Sequence, residues 1–199
     1  MKSSSWWLLA VGLASAGAGL YVAQREMDKL GQSAAAIKPA SADTLQAQAV
    51  QKMFAMQLPD QDGKAQALAQ WRGKPLLVNF WAPWCAPCVR EMPALVKLRQ
   101  DFAGKQLQVI GIGMDNAAAI KEFAAQRKID LPLLVAGVEA AELSRELGNE
   151  RGGLPYTVLI GADGRILKSH VGELKFDSLY QELQVFFGGL GAAPSAPGS

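Results

Sequence analysis

Residues 76–88 read Leu-Leu-Val-Asn-Phe-Trp-Ala-Pro-Trp-Cys-Ala-Pro-Cys, and no other stretch narrows the choice of fold as far. The apolar run Leu76–Trp81 has the length and composition of a buried strand. A tight loop follows, and the spacing predicts a helix starting at the first cysteine. A helix N-terminus offers free N–H groups and a partial positive charge, both of which stabilise a thiolate. A thiol held there can have its pKa lowered from about 8.5 to about 7 or below. Cys88 then lies one turn deeper, within disulfide reach of Cys85. Pro87 falls in the first helical turn, where its missing N–H is no loss. The chemistry such an arrangement supports is thiol exchange. Cys85 attacks a disulfide, a mixed disulfide forms, and Cys88 resolves it to leave an oxidised Cys85–Cys88 pair.

Other uses of a C-x-x-C pair fare worse. The chain has 2 Cys and 1 His, too few soft ligands for a self-contained four-coordinate zinc site. A structural bridge closing so short a loop removes little chain entropy. Two unrelated buried thiols leave the strand-to-helix junction and the flanking prolines without a reason. Charge excludes another class: 20 Lys+Arg against 18 Asp+Glu give a net +2, which offers no electrostatic case for nucleic acid. With 199 residues, 50% of them hydrophobic, the chain holds one ordinary domain plus extras and is too apolar to be disordered.

From Trp6 to Ala23 no residue is charged. As a helix this run spans roughly 27 Å, close to the ~30 Å hydrocarbon core of a bilayer. Lys2 precedes it, and the charges of Arg25, Glu26, Asp28 and Lys29 behind it cancel. That bias favours the N-terminus inside, with the rest exported. Residues 1–24 are therefore expected to be a membrane anchor or signal, with small-x-small cleavage patterns at Ala14–Ala16 and Ala16–Ala18. Residues 25–50 read as a linker rich in Ala, Gln and Ser, 51–187 as the folded domain, and 188–199 as a disordered tail. Within the domain, strand and helix patterns alternate. A hairpin pattern around Asp60–Gly63 comes first. Strands at 76–81, 107–114, 131–135, 157–160 and 166–171 are separated by helices or a turn, and a helix striped by Phe176, Leu179, Leu183 and Phe186 closes the chain. That order means a mixed α/β sheet covered on both faces.

The Trp-Cys-x-Pro-Cys core resembles the active site of the thioredoxin fold. Pro93, five residues after Cys88, is similar to that fold's helix-kinking proline. Gly152–Thr157 resembles the cis-proline loop, and Val171-Gly172 the third edge of the substrate groove. The chain looks most like the membrane-tethered TlpA/ResA-type disulfide reductases. It shares with them an N-terminal anchor, a hairpin before the first core strand, and a central insertion over about 114–137. Glu91 matches an active-site glutamate of the ResA type.

The resemblance implies an extracytoplasmic thiol–disulfide oxidoreductase, acting as a reductant on the inner-membrane surface. It implies re-reduction by a membrane thiol transporter of the CcdA/DsbD type, and exported targets such as apocytochrome c or copper-site proteins. No cofactor or metal is implied. The implied catalytic residues are Cys85, Cys88, Glu91 and Pro155. Glu91 lies on the helical face of Cys88, where a carboxylate accepts or relays the proton that Cys88 loses. An X–Pro bond is the one place where a cis peptide is cheap. A cis Leu154–Pro155 bond turns the Leu154 backbone outward, and a substrate strand then pairs with it. Trp84, Ala86, Pro87, Leu154, Val171 and Gly172 form the expected apolar rim. Asn79 departs from thioredoxin, which carries a titratable Asp there; an amide cannot take the buried thiol's proton. His170 is read as an ordinary strand histidine. The alternative function is a Cu(I)-binding metallochaperone that uses the same two thiolates.

Overall fold

The structure, a computed structural model, describes residues 24, 25, 27 and 42–190. The expected membrane segment at 6–23 and the expected tail beyond residue 190 lie outside the described residues. Among the described residues no helix is long and apolar enough to cross a membrane. The chain divides into two units, Met1–Ser41 and Ala42–Ser199, and the second holds the fold.

That unit begins with helix α1, Ala42–Ala55, before the expected start at Gln51. The last part of the stretch read as a linker is thus helix, which continues through Phe54 into the expected domain. Its small side chains hid an apolar stripe: Ala49, Val50, Met53 and Phe54 are all buried. Full burial of a Val, Met or Phe side chain is worth about 1.5–3 kcal/mol, so α1 is part of the core. A two-stranded hairpin follows, β1 (Gln57–Pro59) against β2 (Ala65–Ala67). Its turn is closed by Asp60, whose Oδ1 accepts the N–H groups of Asp62 and Lys64, both at 2.9 Å.

Five further strands make one sheet: β3 (Leu76–Trp81), β4 (Gln108–Gly113), β5 (Leu133–Val135), β6 (Tyr156–Ile160) and β7 (Ile166–Val171). Their order is β5-β4-β3-β6-β7. β3 runs parallel to β4 and antiparallel to β6, so the sheet is mixed. The helices are α2 (Ala86–Asp101), α3 (Ala117–Arg127), α4 (Glu139–Glu146) and α5 (Phe176–Leu190). α5 runs on to Leu190, past the expected start of the tail at 188. α3 and β5 are the elements expected of a central insertion, and β5 extends the sheet beyond β4.

The central strand β3 is buried along its whole length and feeds two cores. Leu76, Val78 and Phe80 join α1 and α4 on one face. Leu77 and Trp81 join α2, α3 and α5 on the other. This is the period-2 alternation of a strand read from both sides. β4 is pressed hardest: a Cβ on Gly113 would lie 2.3 Å from Ile120 Cδ1, and one on Gly111 would lie 2.7 Å from Leu133 Cδ2. Glycine at these two positions lets α3 and its strand neighbours close onto the sheet.

Candidate active site

β3 ends at Trp81, the chain turns, and α2 starts. Cys85 is the N-cap of α2: its backbone is extended, and its Sγ accepts the Cys88 N–H at 3.4 Å. A thiolate at Cys85 is therefore the capping acceptor that the helix end lacks. Cys85 and Cys88 are joined by a disulfide, with their Cα atoms 5.3 Å apart. Cys85 keeps 6% of its surface exposed and Cys88 none, so attack from outside can reach only Cys85. In this oxidised state the Cys85 sulfur is nearly closed to solvent. Pro87 stands in the first turn of α2, and Pro93 lies inside the helix, where it cannot donate to the Val89 carbonyl.

Strand register brings the remaining segments to the same end of the sheet. Phe80 pairs with Tyr156, and Tyr156 with Val171. Pro155 and Gly172 therefore come level with Trp81, where the cysteine loop leaves. The Leu154–Pro155 peptide is cis, and the Pro155 carbonyl accepts the Gly172 N–H at 2.8 Å. Of the expected rim, Trp84, Ala86 and Val171 are exposed, while Pro87, Leu154 and Gly172 are half-buried. Pro155 itself is buried and floors the groove. Trp81 is core, with its ring 4.9 Å from Phe123.

One turn beyond Cys88, Glu91 is 1% exposed. Its Oε1 accepts from Asn79 Nδ2 at 2.7 Å, and its Oε2 from the Leu174 N–H at 3.1 Å. Asn79 Nδ2 also reaches Thr157 Oγ1 at 3.0 Å. Burial pushes the Glu91 carboxyl up from 4.5 to about 7, against the two hydrogen bonds, which favour the charged form. A carboxyl that titrates near neutrality, on the same helical face as a buried thiol, can hold or release a proton at working pH. Asn79 has one polar atom left over: its Oδ1 is buried without a partner. A protonated Glu91 could use that oxygen as an acceptor if the Asn79 amide turned over.

Several supporting groups were not foreseen. Arg90 donates to both carboxylate oxygens of Glu173, tying α2 to the loop after β7. That guanidinium holds the Glu173 carboxyl below its usual value. Asn149, fully buried, both donates to the Gly153 carbonyl and accepts the Gly153 N–H, which fixes the loop leading to Pro155. A lone Asn after Gly148 carries no such signal in sequence. His170 faces the Glu173 carbonyl at 3.2 Å. Among the described residues no group of three or more His, Cys, Asp or Glu is placed to hold a metal ion.

The family described as Redoxin matches residues 38–183. The thiol-disulfide oxidoreductase ResA of Bacillus thuringiensis subsp. konkukian is 29% identical over 126 residues, 63% of this chain and 70% of its own length. The thioredoxin-like protein YneN of Bacillus subtilis is 30% identical over 129 residues, 62% of this chain and 71% of its own. A crystal structure of a thiol:disulfide interchange protein of the thioredoxin family from Chlorobium tepidum superposes with a TM-score of 0.59 at 25% identity. It covers 67% of this chain and 93% of that one. With a disulfide capping a helix at the end of a buried strand, and with relatives of this kind, the chain belongs to the Redoxin family and is a thioredoxin-like thiol–disulfide oxidoreductase.

Proposed function

We propose that the protein works as an extracytoplasmic reductant of disulfides in exported proteins. The observation that carries this reading is the position of the disulfide: Cys85 at the helix cap on the outer side, Cys88 sealed behind it beside a carboxyl that titrates near neutrality. In the reduced protein, Cys85 attacks one sulfur of the substrate disulfide. A mixed disulfide forms and the first substrate thiolate leaves. Cys88 gives its proton to Glu91 or water and attacks the Cys85 sulfur, and the second substrate thiolate leaves. Two enzyme thiols become one disulfide, and one substrate disulfide becomes two thiols. Pro155, Leu154, Val171 and Gly172 would seat an extended substrate strand against Trp84, Ala86 and Pro87.

The uncharged run 6–23, with Lys2 ahead of it, supports an anchor in the cytoplasmic membrane and a domain on the periplasmic side. In that setting the substrates are exported proteins that carry a disulfide, such as apocytochrome c or copper-site proteins. The electron donor is then a membrane thiol transporter of the CcdA/DsbD type.

The midpoint potential of the Cys85/Cys88 couple, measured against glutathione or dithiothreitol, tests the direction of electron flow. A reductant should lie below about −220 mV, and a value near −120 mV, as in a strong oxidant, would overturn the reading.

A further inference from the structure

A cleft of about 570 Å³ opens between the start of α2 and the inserted helix α3. One wall is Trp84, Ala86 and Arg90; the other is Ala119, Phe123 and Arg127. Trp84 and Ala86 are the immediate neighbours of Cys85 in the chain, so the cleft opens beside the reacting cysteine. Trp84 stands 68% exposed, a large apolar body at the mouth. Phe123 is half-buried, packed on Trp81. The two cations differ. The charge of Arg90 is taken by Glu173 at 2.6 Å, whereas among the described residues the exposed Arg127 has no ion-pair partner. Glu122, the cleft's own acid, accepts from the neutral Gln126 at 2.9 Å and keeps its charge, but it lies more than a turn before Arg127 on α3, so the Arg127 end is the positive one. Apolar side chains beside the disulfide, with a guanidinium outside any ion pair at the C-terminal end of α3, suit a polypeptide that carries an acidic side chain at that end.

Resting on the oxidoreductase reading above, we infer that this cleft seats the substrate polypeptide beyond its reacting cysteine, with an acidic residue opposite Arg127. Selectivity among disulfide substrates is then set on the inserted helix, apart from the thiol chemistry.

The test uses the reduced protein and two disulfide-cyclised peptides, identical except that the arms flanking the cysteines carry Glu in one and Lys in the other. Second-order rates are followed by tryptophan fluorescence in stopped flow. The readout is the Glu-arm to Lys-arm rate ratio within each protein, which cancels any change in intrinsic thiol reactivity. The wild-type ratio should be about three to five at low salt, the size of one exposed ion pair, and should fall toward one at about 0.5 M salt. Arg127→Glu should erase or invert it. Lys74→Glu, an equal charge change at the opposite end of β3 from the cysteines, should keep it. A wild-type ratio of one, or a ratio in Arg127→Glu equal to that of wild type, overturns the assignment. Hydroxyethyl disulfide separates the two readings: if the reduced wild-type protein cannot reduce even this small disulfide, the oxidoreductase reading fails first.

Discussion

Glu91→Gln isolates the one buried carboxyl of the site. In the folded protein its carboxyl titrates at about 7, against 4.5 for a free glutamate. A raised carboxyl pKa means that the folded state holds the proton more tightly than the unfolded chain does. The stability this contributes is fully present below pH 4.5 and is lost as pH rises through 7. At about 1.4 kcal/mol per unit, the loss across that window is about 3.5 kcal/mol, of which about 3 falls above pH 5. Glutamine keeps the shape and does not ionise. Its amide can accept the Leu174 N–H through Oε1 and donate through Nε2 to the otherwise orphaned Asn79 Oδ1 once that amide turns over. Urea denaturation of the oxidised protein between pH 5 and 8 measures the effect, with the cysteines silent because they are bonded. The wild type should lose up to about 3 kcal/mol relative to Glu91→Gln over this range, and the variant should be the more stable protein at pH 8. Parallel pH curves for the two proteins would refute the burial argument. A difference that grows toward low pH would reverse its sign.

Other expectations follow from the same geometry. After reduction, iodoacetamide at pH 7 should modify Cys85 and spare Cys88, since only Cys85 has exposed surface; fragment-ion mass spectrometry of the single tryptic peptide 73–90 that carries both cysteines reads which sulfur is alkylated. Cys88→Ser should trap a mixed disulfide with substrate that Cys85→Ser cannot form, seen as a non-reducing gel shift. Asn79→Asp sets a second carboxylate 2.7 Å from Glu91 and should cost about 2–3 kcal/mol in urea denaturation at pH 8, with much of the loss recovered at pH 5. Deleting residues 42–55 strips Val50, Met53 and Phe54 from the core and should cost about 5 kcal/mol or more, enough to abolish the cooperative thermal transition.

The site was legible because its chemistry is local. Cys85, Ala86, Pro87 and Cys88 carry their own geometry, since a cap, a first-turn proline and a resolving thiol are fixed by three residues of spacing. The segments at 154–155 and 171–172 could be read only through resemblance, because what joins them to Cys85 is strand register across β3, β6 and β7. α1 was missed for a different reason. Between residues 42 and 48 its only large apolar side chain is Leu45, which is exposed, and the buried stripe begins only at Ala49. Its Ala, Gln, Leu and Met favour a helix, but without an apolar stripe the first half reads as a spacer, while tertiary packing makes the second half core. The Arg90–Glu173 pair and the Asn149 bracket join residues through backbone atoms or across more than eighty positions, and no periodicity reports such links.

Asn79 also bears on how the chain finds its fold. It sits mid-strand between Val78 and Phe80, with its side chain toward Glu91 while theirs face the opposite core. If β3 slipped by one residue, a hydrocarbon would meet the carboxyl, and the amide would be stranded in grease on the far side. Every misaligned pairing thus carries a polar penalty at its centre. The residue that tends the acid also proofreads the strand's alignment.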